Sequence, residues 1–128
     1  MTDNRLQFIH ITIQPGDEMR YPTAGDYLGQ RHGLRVIEVA QQRQTEWELM
    51  IAIHELIKQH LVLQAGISIA DIDKWDMEHL EESDPGSLPG CPYLNAHLKA
   101  ESVERVAAAA LGVDWEEYIN NIVIGGKA

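Results

Sequence analysis

Two groups of imidazole and carboxylate side chains stand out in this 128-residue sequence. His54 and Glu55 sit side by side in the otherwise apolar run from Trp47 to Leu63. His97, Glu101 and Glu104 recur at i, i+4 and i+7, a spacing that lines one face of a helix. A carboxylate buried without compensation is costly, so Glu55 needs a cationic or metal partner unless it faces water. If the two groups meet, two imidazoles and two or three carboxylates converge, and a divalent cation would relieve their repulsion. A mixed nitrogen and oxygen set suits zinc, manganese or iron. In that reading His54, His97 and Glu104 are ligands, Asp76 or Glu101 completes the set, and Glu55 is a general base or an orienting group. Two alternatives stay open. The same residues could form a hydrogen-bonded network that ties two helices together, or Glu101 and Glu104 could be solvated beside Lys99 and Arg105.

Other chemistries fail on spacing. Residues 54–58 read His-Glu-Leu-Ile-Lys, whereas the zinc-protease pattern needs a second histidine where Lys58 stands. His60 lies six residues from His54, well round the helix, and cannot replace it. The acidic stretch from Asp71 lacks the central glycine and distant glutamate of a calcium loop. Cys91, the one cysteine, excludes both an internal disulfide and a four-cysteine zinc site, and no activating neighbour is evident in sequence. Neither a phosphate-cradling glycine loop nor a serine-nucleophile motif is present.

The elements that must position these groups can be read from periodicity. Leu6, Phe8, Ile9, Ile11 and Ile13 approximate a strand that stops at Pro15-Gly16-Asp17, and residues 34–39 predict another. Tyr21 to Tyr27 reads as a loop leading into a short strand. The expectation is an α+β single domain spanning 1–128, in which a small N-terminal antiparallel sheet of two or three strands packs on three to four helices. Thr45 with Glu48 forms a capping-box pattern ahead of a helix from about Glu46 to Gln64, closed at Gly66. Ser68 with Asp71 starts a shorter helix to about His79, and the Pro/Gly-rich residues 81–92 form a loop. A third helix opens at Pro92 and runs to Leu111. Asp114 with Glu117 opens a last one, ending near Ile124 before Gly125-Gly126.

Charge narrows the function classes. Twenty acidic against ten basic residues give a net charge of -10, which disfavours binding to a phosphate backbone. Residues 1–45 are neutral, so the whole excess falls in the helical part. No apolar run reaches the length of a membrane helix, and Met1 to Asn4 is too polar to open a signal peptide, so a cytoplasmic location is expected.

The order of several pieces resembles a group of short, uncharacterised proteins of tailed phages and prophages. The pieces are Arg20-Tyr21-Pro22-Thr23-Ala24-Gly25-Asp26-Tyr27, Ile53-His54-Glu55-Leu56-Ile57, Trp75-Asp76, Asp84-Pro85-Gly86, Pro92-Tyr93, His97, Ala100, Glu104-Arg105, Leu111-Gly112-Val113-Asp114-Trp115 and Tyr118. Members of that group resemble one another in a His-Glu-x-x-Glu pattern and often a histidine after the Pro-Tyr pair. Lys58 and Leu94 occupy those places here, which removes two ligands the group could offer. The resemblance implies a phage or prophage origin and a bacterial cytoplasm, and it implies no activity. A sheet followed by a His-Glu helix and a second ligand-bearing helix is also similar to zincin-like metalloenzymes, an analogy of fold only. Two functions therefore follow as expectations. One is a divalent-metal site between two helices, a minimal zincin-like hydrolase. The other is a non-enzymatic acidic accessory protein whose Asp71–Asp84 segment, with seven acids and one lysine, meets an unidentified protein partner of the host or phage. Oligomeric state is not indicated.

Overall fold

The computed structural model describes residues 8–31, 34–82 and 84–125. Leu6, where the first strand was expected to open, lies outside the described residues, as do Met1 to Asn4 and Gly126. Three strands form one sheet: β1 (Phe8–Gln14), β2 (Gly25–Arg31) and β3 (Leu34–Ala40). Four α-helices follow: α1 (Thr45–Ala65), α2 (Ile69–Glu78), α3 (Leu94–Leu111) and α4 (Trp115–Asn121). The expected α+β arrangement, a small N-terminal sheet with helices packed on it, is what the chain adopts.

The sheet differs from expectation in the sense of one pairing. Its order is β1-β3-β2; β2 runs antiparallel to β3, but β1 runs parallel to it. The ten residues between β1 and β2 are too many for a tight hairpin and carry the chain across to the far side of β3. A backbone bond from Gln41 to Gln14 (2.8 Å) extends the parallel ladder by one step. This register puts Ile9, Ile11 and Ile13 on the same face as Arg35, Ile37 and Val39. Helix α1 lies on β2 and β3, so Ile37 and Val39 are fully buried while Ile9, Ile11 and Ile13 stay exposed.

Helix α1 is buried on most sides, as its composition predicts: every residue from Met50 to Gln59 is buried or half-buried. It ends at Gly66 in a left-handed conformation (φ 73°), the expected cap. Its start is different. Gln44 is the N-cap and offers no side-chain bond, while the Glu48 carboxylate reaches back to the Gln42 N–H (3.0 Å). Asp114 caps α4 as predicted, accepting from the Glu117 N–H at 2.9 Å, and Ser68 caps α2 by accepting from the Asp71 N–H at 3.1 Å. Helix α3 opens at Leu94, so Pro92 lies in the preceding turn.

Helices α1 and α3 form the main packed pair. Ala96, Ala100 and Ala108 on α3 are buried and let the two backbones approach, whereas Ala109 and Ala110 face solvent. Tyr118 of α4 closes one end, its ring edge-on to Trp47 of α1 at 5.8 Å between centroids. Among the described residues no helix is long and apolar enough to cross a membrane.

Candidate functional site

A cavity of about 560 Å³ opens between α1, α3, the segment before β2 and the turn at Pro85–Ser87. Its polar lining falls into an imidazole side and an ammonium side. Both are anchored on α1, where His54, Glu55 and Lys58 are all buried.

On the imidazole side, His54 and His97 meet across the α1–α3 seam with ring centroids 4.8 Å apart, nearly edge to face. Each ring is held by a carboxylate. His54 Nδ1 bonds Glu104 Oε1 at 2.8 Å, and His97 Nε2 bonds Asp84 Oδ1 at 3.0 Å. The second oxygen of Glu104 accepts from the Tyr118 hydroxyl. Glu104, ionised and able only to accept, accepts a hydrogen bond from His54 Nδ1–H, which leaves Nε2 as the ring nitrogen that this carboxylate does not engage. By the same logic His97 donates from Nε2 to Asp84, and Nδ1 is its other ring nitrogen. That Nδ1 is buried and has no hydrogen-bond partner among the described residues. It is covered by Gly86, whose backbone packs so closely that a Cβ would stand 2.6 Å from it. The turn carrying Gly86 is fixed from behind by the Trp75 indole, which donates to the Pro85 carbonyl at 2.8 Å. Burial pushes the Asp84 carboxyl up, but the hydrogen bond and charge of His97 outweigh this and hold it below its ordinary value.

On the ammonium side, Lys58 donates to Glu55 Oε1 at 3.2 Å and lies over the rings of Tyr93 and Tyr27, at 5.3 and 5.7 Å from their centroids. Burial works against the ammonium, yet the charges of Glu55, Asp76 and Asp26 prevail and raise its pKa. Asp76 accepts from both the Tyr21 hydroxyl (2.9 Å) and the Tyr93 hydroxyl. Asp26, whose carboxyl burial pushes up against the pull of Arg20, is held by Arg20 at 2.5 and 3.1 Å. Arg20 also forks onto Asp73 at 2.9 Å on both nitrogens. Gly25 lets β2 press on α1: a Cβ there would stand 2.8 Å from Glu55 Cγ. The other carboxylate oxygen, Glu55 Oε2, is buried with no partner among the described residues.

The structure thus brings together His54, His97 and Glu104, and sets Glu55 and Asp76 on the neighbouring side of the same cavity. Glu101 lines the cavity half-buried, 3.9 Å from Arg105. Among the described residues no three His, Cys, Asp or Glu side chains are grouped as a cage for a metal ion. Sequence reasoning required a cation near Glu55 but treated Lys58 only as a missing ligand, histidine or glutamate; the i, i+3 spacing is the signal that could have found it. It also missed Asp84 as the anchor of His97, and Tyr21, Tyr93 and Tyr118 as hydroxyl donors. Those contacts join distant segments and leave no local pattern. In the acidic stretch, Asp73, Asp76 and Asp84 are turned to partners within the chain, while Asp71, Glu78, Glu81 and Glu82 are exposed. Comparison of the chain with protein-family models, with curated proteins and with solved structures gives no match, so the geometry above is what bears on function.

Proposed function

We propose that the cavity is a divalent-cation site, in which His54 and His97 would be the first two donors and Glu55 the third, once the side chains shift from positions in which no three such groups stand together. The observation that carries this reading is the pair of carboxylate-anchored imidazoles facing each other across the α1–α3 seam. A carboxylate on the far nitrogen fixes ring orientation and tautomer, and raises the basicity of the nitrogen offered to a metal. Glu104 and Asp84 are therefore orienting groups in this reading, and the cation displaces Glu55 from Lys58. Zinc and manganese are the cations the mixed donor set suits. Metal-assisted hydrolysis of a substrate in the cavity is the activity such a site supports.

Metal analysis of protein purified without a histidine tag is the test, combined with thermal melts after addition of zinc or manganese. The expected result is near-stoichiometric zinc and a melting temperature that falls on chelation. His54→Ala and His97→Ala variants should lose both effects. Sub-stoichiometric metal that added zinc or manganese does not raise would refute the reading.

A further inference from the structure

We infer that β1 is a pairing edge for a second copy of this chain, joined antiparallel about a two-fold axis at Ile11 so that the two sheets become one. The surface lies apart from the cavity, which no residue of β1 lines. The two edges of the sheet, β1 and β2, are built differently. β2 contains two glycines and a register shift between Tyr27 and Gln30, irregularities that blunt an edge. β1 pairs without interruption from Phe8 to Gln14 and contains no lysine, arginine, acid, proline or glycine. An edge left that regular is a template for another strand.

The direction of its backbone groups fixes which residues pair. The Gln14 carbonyl turns inward and accepts from the Gln41 N–H at 2.8 Å. The N–H and C=O of one strand residue point to the same side, and the side alternates along the strand. Phe8, His10, Thr12 and Gln14 therefore serve β3, while Ile9, Ile11 and Ile13 present their backbone groups outward. An antiparallel copy centred on Ile11 sets Ile11 opposite its own equivalent and Ile9 opposite Ile13, and each such pair exchanges both of its backbone bonds. The isoleucine side chains of both copies then fall on one face. They are 48, 40 and 40% exposed in the single chain, and each gains a cross-strand isoleucine.

Self-matching and charge favour a second copy as the occupant. At this register identical β-branched residues meet with no charged side chain on either strand. Residues 1–45 are neutral, so two molecules of net charge -10 can meet there without opposing their acidic halves. A two-fold contact consumes the β1 edge, and the irregular β2 edge stops further addition, so the assembly closes at a dimer. One strand pair gives a small interface, on the order of 1,000 Å² in total, and hence a weak dimer.

Sedimentation velocity from about 1 μM to about 1 mM, the range in which so small a contact dissociates, should take the parent from monomer to dimer. Ile11→Lys sets two ammonium groups opposite each other and should stay monomeric throughout. Val106→Lys, at a 69% exposed position on α3, should dimerise like the parent. Under mild oxidation Ile11→Cys should cross-link to its equivalent, with Cα atoms about 5.5 Å apart. Ile13→Cys should not, because its equivalent lies four residues further along the pair; Cys91 is buried and takes no part. A parent monomeric at every concentration overturns the inference and leaves the edge to a strand of another protein. A dimer that survives Ile11→Lys, a dimer that Val106→Lys abolishes, or equal cross-linking by the two cysteine variants also overturns it. Should Ile11→Lys be unfolded, the cysteine variants decide: selective cross-linking at position 11 supports the pairing, and its absence overturns it.

Discussion

Tyr118→Phe is the cleanest probe of the imidazole side. The ring is fully buried and packs on Trp47 at 5.8 Å and Trp115 at 5.5 Å, contacts that phenylalanine retains. What is lost is one hydroxyl, and with it the donor to Glu104 Oε2. Glu104 is 7% exposed, so water cannot easily replace that donor. A hydrogen bond to a charged group contributes about 1.5–3 kcal/mol, and the buried oxygen left behind keeps the cost toward the upper part of that range. For a domain of this size the loss corresponds to a fall in melting temperature of roughly 5–10 °C. The same substitution in a Glu104→Gln background removes a bond between neutral groups and should cost about 0.5–1.5 kcal/mol. The difference between the two costs is the coupling, readable by urea or thermal unfolding of the four proteins in a double-mutant cycle. A cost for Tyr118→Phe within about 0.5 kcal/mol of zero, or strict additivity in the cycle, would show that Glu104 is not a buried carboxylate held by that hydroxyl. The tautomer assigned to His54 would then lose its basis.

Further expectations follow from neighbouring groups. Lys58 is held above its ordinary pKa by its carboxylate neighbours, and burial raises Tyr21, Tyr93 and Tyr118 above theirs. Folded values above the unfolded ones mean that this stabilisation is complete below about pH 10 and is lost as pH climbs beyond it. Thermal melts between about pH 8 and pH 11 should drop at the alkaline end, and a flat profile would refute the assignment. Gly86→Ala forces a Cβ to within 2.6 Å of His97 Nδ1 and 2.9 Å of the Tyr93 ring. It should cost about 1–3 kcal/mol by overpacking and shift the His97 ring resonances; an unshifted ring would mean the turn yields instead. Arg20→Ala leaves Asp26 buried without its guanidinium and should cost about 1–3 kcal/mol, since Arg20 is itself partly solvated. Arg20→Lys should recover only part of the loss, because an ammonium cannot fork onto Asp26 and Asp73 together.

The helical half of the fold was legible because its signals are local. The apolar run around His54, the Gly66 stop and the Asp114 cap each lie within a few residues of what they determine. The parallel pairing of β1 was not legible, because strand alternation is the same whichever way the partner runs. For the site, the spacing of His97, Glu101 and Glu104 put them on one face of α3, but whether that face meets His54 stood only as a condition until the His54–Glu104 contact was seen. Periodicity could not say which carboxylate would serve which imidazole. Asp84 reaches His97 from a Pro/Gly-rich loop whose path is fixed by the Trp75 indole, a contact with no sequence signature. Tyr21 and Tyr93 converge on Asp76 from positions 55 and 17 residues away, beyond any helical or strand period.

The short bridge between Thr23 and Gly125 has a consequence for handling the protein. Its paired backbone bonds, 2.8 and 2.9 Å, fasten the far end of the chain to the strip that presents Arg20 and Tyr21. Gly125 sits so close to Gly16 that a methyl group would stand 2.7 Å from main-chain atoms there. Replacing Gly125 by alanine should therefore loosen the Arg20–Asp26 clasp although it touches no ionisable group. Appended tags belong where they leave that fastening intact.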